Sequence, residues 1–189
     1  MLQTWFLWFY CLSILAAVLL LLLVTGVYLM VRRWCGSLRF WRAGIALVLL
    51  AWLAVIAAAT LADRMSGAVP VSPELIPFHS YRAVIAGENP ELLRSNFMNA
   101  VLFYPAGLLG CDLLPGGWSR KRRVFLIAAL CVLLSLGIEC LQYRFALGQA
   151  EADDVIHNGL GALLGGAICE ILPRRTSPHK TEQNNTPLM

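Results

Sequence analysis

The sequence predicts an all-α fold: a polytopic transmembrane helix bundle with about five spans. Three observations lead there. The 189-residue chain is 59% apolar and only 14% charged, against roughly 25% charged residues in a soluble domain of average usage. Its charges are clumped, which leaves long runs close to the roughly 20 apolar residues that a bilayer-crossing helix needs. The basic residues also gather in particular loops, as orientation in a membrane requires.

The first run, Trp5–Val31, carries no charge. It does not read as a cleaved signal peptide, because it lacks a basic leader and is too long, and no small-residue cleavage site follows. A loop with Arg32, Arg33, Arg39, Arg42 and no acid comes next. Ala43–Ala62 is the second run, again uncharged. Residues 63–95 hold three arginines and four acids, a stretch long enough to need structure of its own. Within it, "ENPELLRSN" reads as a helix start, with Asn89 as N-cap, Pro90 first in the helix and Glu91 in the first turn. That helix is expected to run into the third span, Phe97–Cys111, where Pro105 kinks it and frees a carbonyl for a neighbouring helix to satisfy.

The fourth run, Val124–Tyr143, has a single charge, Glu139. The fifth, Val155–Leu172, has His157 near its start and Glu170 near its end. Glu170 is expected either to snorkel or to pair with Arg174 one turn on. The polar tail "TSPHKTEQNNTP" reads as disordered. The organisation expected is therefore an N-terminal helix and basic loop over 1–42, a transmembrane domain over 43–172 and a polar tail over 173–189.

Lys and Arg number four, three, four, one and three in the successive loops and tail. The long 63–95 loop breaks strict alternation, but acids surround its arginines. The pattern predicts the amino terminus outside and the carboxyl terminus inside. The net charge of +4 then reflects orientation, and no aromatic-interleaved basic patch points to nucleic acid. Cys11, Cys131, Cys140 and Cys169 fall in spans and Cys35 and Cys111 on the inner side, so no disulfide framework, metal-finger spacing or cofactor is expected, and the cysteines read as small packing residues.

The polar residues inside the spans are the candidates for function, because ionisable groups there face a bundle interior or a watery cavity. Ser135, Glu139 and Gln142 share one face of the fourth span, and Asp154, Asn158, Gly161 and Gly165 one face of the fifth. Gly161 and Gly165 form a small-residue ridge for close packing. Asn96 and Asn99 lie near the outer end of the third span. With the outer loop's His79 and the entry residues Asp153 and His157, these groups converge on one level, which predicts an outer polar pocket. The competing structural roles are a helix cap for Asp153 or Asp154, interhelical hydrogen bonds for Asn99 and Asn158, and a plain loop histidine for His79. The inner halves of the spans read as nearly free of polar groups.

These residues resemble the VanZ-like family of bacterial membrane proteins. The resemblance lies in Ile76-Pro77-Phe78; in Asn99, Phe103, Pro105 and Gly107; in Ser135, Glu139 and Gln142; and in Asp154, Asn158, Gly161 and Gly165, over about residues 43–172. Two departures stand out. Relatives commonly carry an arginine before the acidic cluster, where this chain has Leu147 beside Gly148, with Arg144 the nearest basic residue. Ala106 replaces a larger apolar residue.

The resemblance implies a multi-pass protein of the bacterial cytoplasmic membrane, with a role in the cell envelope and a link to resistance against teicoplanin. On this basis the leading expectation is a protein whose outer pocket binds a lipid-linked wall precursor or a lipid-anchored glycopeptide. The alternative is a membrane-embedded enzyme using Glu139 and Asp154 with His79 or His157 in acid–base chemistry or metal binding. The sequence leans away from that, since neither H-E-x-x-H nor G-x-S-x-G occurs. A proton-coupled transporter using Glu139 is a third class.

Overall fold

The computed structural model describes residues 2–34, 38–62 and 72–171. The predicted polar tail and part of the loop after the second run lie outside these residues, as do Cys35 and Arg174. Regular structure in the described residues is helical: α1 (Leu2–Trp34), α2 (Leu38–Ala57) continuing into a π-helical turn (Ala58–Ala62), α3 (His79–Ile85), α4 (Glu91–Leu113), α5 (Arg120–Arg144) and α6 (Ala152–Ile171). An isolated parallel bridge joins Glu74 to Glu151.

Three helical segments are long and apolar enough to cross a membrane: Leu12–Trp34, Leu38–Leu61 and Arg120–Arg144. Helices α4 and α6 have 23 and 20 residues, but their polar residues keep them below the same standard of apolarity. Their position explains the difference, because α4 and α6 supply most of the buried residues. Large side chains such as Leu22 and Met30 of α1, Leu47 and Leu50 of α2, and Phe125 and Leu133 of α5 stay exposed. So much open apolar surface is foreign to a monomer in water and suits a hydrocarbon solvent.

Contacts fix the helix directions. Ala100 meets Gly161, Tyr104 meets Gly165, and Cys111 meets Glu170, so α4 and α6 run parallel. Ser135 meets Asn158 and Arg123 meets Glu170, so α5 runs antiparallel to α6. Thr25 bonds Tyr104, and Arg32 pairs with Asp112, so α1 follows α4. Trp41 bonds Asp112 and Trp52 bonds the Leu102 carbonyl, so α2 opposes it. One end of the bundle, here called upper, therefore holds the π-helical turn, the starts of α4 and α6 and the end of α5.

The α4–α6 seam is backbone on backbone. A Cβ at Gly161 would lie 2.0 Å from the Ala100 carbonyl oxygen, one at Gly165 2.1 Å from that of Tyr104, and one at Gly107 2.0 Å from that of Ala162. Glycine is required at all three, and the predicted ridge serves this contact. The α4 start matches its sequence signature: the Asn89 side chain accepts from the Glu91 amide at 3.0 Å, and Arg94 pairs with Glu91 at 2.5 Å. Pro105 lies inside α4. The Trp52 indole donates at 2.8 Å to the Leu102 carbonyl, one residue past the Val101 carbonyl that Pro105 leaves without its helical amide.

Candidate functional site

The upper end is built around a clamp between two loops. The Glu74 amide donates to the Ala150 carbonyl and the Ala152 amide to the Glu74 carbonyl, each at 2.9 Å. Gln149 adds a bond to the Ser72 carbonyl at 3.2 Å. Asp153, buried in the first turn of α6, accepts from the amides of Phe78 at 2.5 Å and Ser80 at 2.9 Å. Phe78 has φ of 61°, a left-handed conformation that a bulky residue adopts only when its surroundings impose it. The Asp153 carboxylate imposes it, which joins the Ile76-Pro77-Phe78 segment physically to the acidic entry of α6. Asp153 is thus a loop anchor at the upper end of the bundle.

His157 is buried one turn below. Its Nδ1 lies 2.6 Å from the Asp153 carbonyl and its Nε2 2.8 Å from the Tyr81 hydroxyl. A carbonyl only accepts, so Nδ1 carries the proton; in the neutral ring Nε2 then accepts from the Tyr81 hydroxyl. The two rings stack with centroids 5.8 Å apart. His79, by contrast, lies half-exposed beside Glu74 at 3.7 Å. The histidine that α6 supplies is the one embedded in the cluster.

The remaining predicted residues lie on the upper halves of α4, α5 and α6. Asn158 donates to Ser135 Oγ at 2.8 Å. Glu139 accepts from the Glu151 amide at 3.0 Å, and Gln142 donates to the Thr60 carbonyl in the π-helical turn at 2.9 Å. Asp154 is buried in the first turn of α6, and Asn96 is buried in α4. Among the described residues, the buried side-chain atoms with no hydrogen-bond partner are Nδ2 of Asn96, Nδ2 of Asn99, Oε1 of Gln142 and Oδ1 of Asn158. All four belong to the polar cluster in the upper half of the bundle, here called the upper chamber: Asn96 and Asn99 in the first half of α4, Asn158 in that of α6, and Gln142 near the end of α5. Two are donors and two are acceptors.

Beside the chamber lies a cleft of about 420 Å³ between the ends of α5 and α6 and the loop before α3. Leu75, Pro77, Leu136 and Val155 make its walls apolar, and Glu139 adds only apolar surface to them, its carboxylate being turned away and bonded to the Glu151 amide. Ser80, Tyr81 and Thr60 are site residues that the sequence did not single out. The Pro77-Phe78-His79 neighbourhood held the only signal for the first two. Arg144, the nearest basic residue to the acidic cluster, lies over the Phe145 ring, 5.8 Å from its centre.

The lower end corrects the expectation that it is nearly free of polar groups. Glu170 is buried and paired with Arg123: Arg123 Nε donates to Oε1 at 2.7 Å and Nη2 to Oε2. Glu170 is therefore buried and paired inside the bundle rather than snorkelling, while Arg174 lies outside the described residues. Arg123 Nη1 also donates to the carbonyls of Gly116 and Trp118. The Cys111 thiol donates to Glu170 Oε1 at 3.3 Å, and Cys169 Sγ lies 3.7 Å from the Tyr28 hydroxyl. Arg32 donates to that hydroxyl at 2.7 Å and pairs with Asp112 at 3.8 Å.

A family model described as VanZ/LLP1 matches residues 40–173. No curated protein and no solved structure matches the chain. The matched segment begins at the start of α2 and holds the whole upper chamber, the glycine seam and the lower ion pair, and on that footing the chain belongs to the VanZ-like family.

Proposed function

We propose that this protein crosses the bacterial cytoplasmic membrane five times, through α1, α2, α4, α5 and α6, with its upper end outward. In that arrangement the upper chamber binds the polar head of a lipid-linked envelope precursor or a lipid-anchored glycopeptide. The apolar chain of the ligand lies in the adjoining cleft. The observation that carries this reading is the set of four buried amide atoms without partners in the upper half of the bundle. Each unpartnered atom costs about 1–3 kcal/mol relative to a satisfied one, a cost that a bound polar group removes. The basic lower loops support the orientation.

The test is teicoplanin susceptibility in a sensitive host expressing the chain, beside Asn96→Leu and Glu139→Gln, with membrane levels matched. Protection that both variants lose at equal abundance supports the reading. Unchanged protection in both variants rejects it.

One observation favours a catalytic second reading: Glu139 is a carboxylate buried inside a long apolar helix beside the polar cluster, the kind of group a general base requires. Mass spectrometry of the host's lipid extract separates the two. A new lipid product that disappears with Glu139→Gln supports chemistry, and bound but unaltered lipid supports binding.

A further inference from the structure

The lower cluster holds a donor set that the upper chamber does not use. Cys111 of α4 and the adjacent Cys169 and Glu170 of α6 bring two sulfurs and one carboxylate oxygen within 4.8 Å of one another. All three residues are buried. We propose that these three residues bind a thiophilic divalent cation, with Zn²⁺ the expected occupant.

Three physical arguments carry this. The first is geometric. Tetrahedral zinc with bonds of about 2.0–2.3 Å holds its ligand atoms roughly 3.3–3.8 Å apart. Cys111 Sγ already stands 3.3 Å from Glu170 Oε1. The Tyr28 hydroxyl, 3.7 Å from Cys169 Sγ, brings a further oxygen to the cluster's edge.

The second is electrostatic. The cluster's fixed charges balance, with Arg123 against Glu170 and Arg32 against Asp112. Replacing the two thiol protons by one divalent cation leaves that balance unchanged, so the buried site gains no net charge. The two protons leave to solvent, and two metal–sulfur bonds form in place of two S–H bonds. No oxidation is involved.

The third is orientation. A ligating carboxylate is normally held by an outer hydrogen-bond donor, and Arg123 grips both Glu170 oxygens. Arg123 is itself fixed by the Gly116 and Trp118 carbonyls. The rigid glycine seam sets the α4–α6 register that brings residue 111 to residues 169 and 170.

The proposal is independent of the function assigned to the upper chamber. Its test uses the full chain in detergent, loaded with Zn²⁺ and desalted, with metal and free thiols both counted. About one zinc per chain is expected, falling at least tenfold in Cys111→Ser and in Cys169→Ser. Since either variant can fail to insert, Co²⁺ is also added to the unmodified chain, where thiolate ligation gives an intense near-ultraviolet charge-transfer band. Absence of that band while both thiols remain free and reduced overturns the proposal. A disulfide between Cys111 and Cys169 in freshly isolated protein overturns it too, as does metal retained in the double serine variant.

Discussion

The two ends of this bundle handle buried polarity in opposite ways. At the lower end, Arg123 and Glu170 satisfy each other through two parallel bonds, and loop carbonyls take up another guanidinium donor. At the upper end, Asn158 reaches Ser135 and Gln142 reaches the Thr60 carbonyl, yet each keeps another polar atom buried without a partner. Closed networks rigidify a fold, while an open one holds stability in reserve for something that completes it. The lower end is the bundle's lock, and the upper end is the receptive face only on the function proposed above.

That contrast is breakable, starting with the largest effect. Arg123→Ala should cost about 3–5 kcal/mol, because it strands a buried carboxylate; replacing both Arg123 and Glu170 by Met should recover most of it. Denaturation in detergent reads the difference, and equal losses in the single and double variants would contradict the lock. Next, Asp153→Ala leaves the amides of Phe78 and Ser80 without their acceptor, at about 1–3 kcal/mol. The consequence should be local: faster hydrogen exchange and proteolysis in the segment around Phe78, with α4 and α6 little changed. Gly161→Ala should cost about 1–3 kcal/mol by forcing apart two touching backbones, read as a lower midpoint of thermal unfolding. Smallest in energy and sharpest in meaning is Asn96→Leu. It removes a buried amide that lacks a partner, so stability should stay level or rise by up to about 1 kcal/mol. Its ligand-dependent phenotype should nonetheless vanish. A clear loss of stability in Asn96→Leu would make the upper end structural and erase the contrast.

The sequence carried the parts of this design that repeat along one helix. Ser135, Glu139 and Gln142 stand on one face because a helix turns 100° per residue, and Gly161 and Gly165 form a ridge for the same reason. The Asn89–Pro90 start was legible from local capping chemistry. What was not legible depends on contacts between distant segments. Cys111 and Glu170 become neighbours only through the α4–α6 register. Arg123 stands in a run of four basic residues that the charge pattern assigns to a loop, and nothing local distinguishes the one that turns inward. Ser80 and Tyr81 joined the site because Asp153 holds the chain in a left-handed turn at Phe78, a conformation with no glycine to announce it. The π-helical turn at Ala58–Ala62 likewise has no proline or glycine within it.

The glycine seam also decides how the molecule can move. Helices separated by side chains can slide or part by changing rotamers. Helices α4 and α6 have no such layer at Gly107, Gly161 and Gly165, so they travel as a single plate. Breathing motions of the upper end must then come from α5 and the clamped loops swinging against that plate. The cleft lies on the α5 side, between the end of α5 and the start of α6.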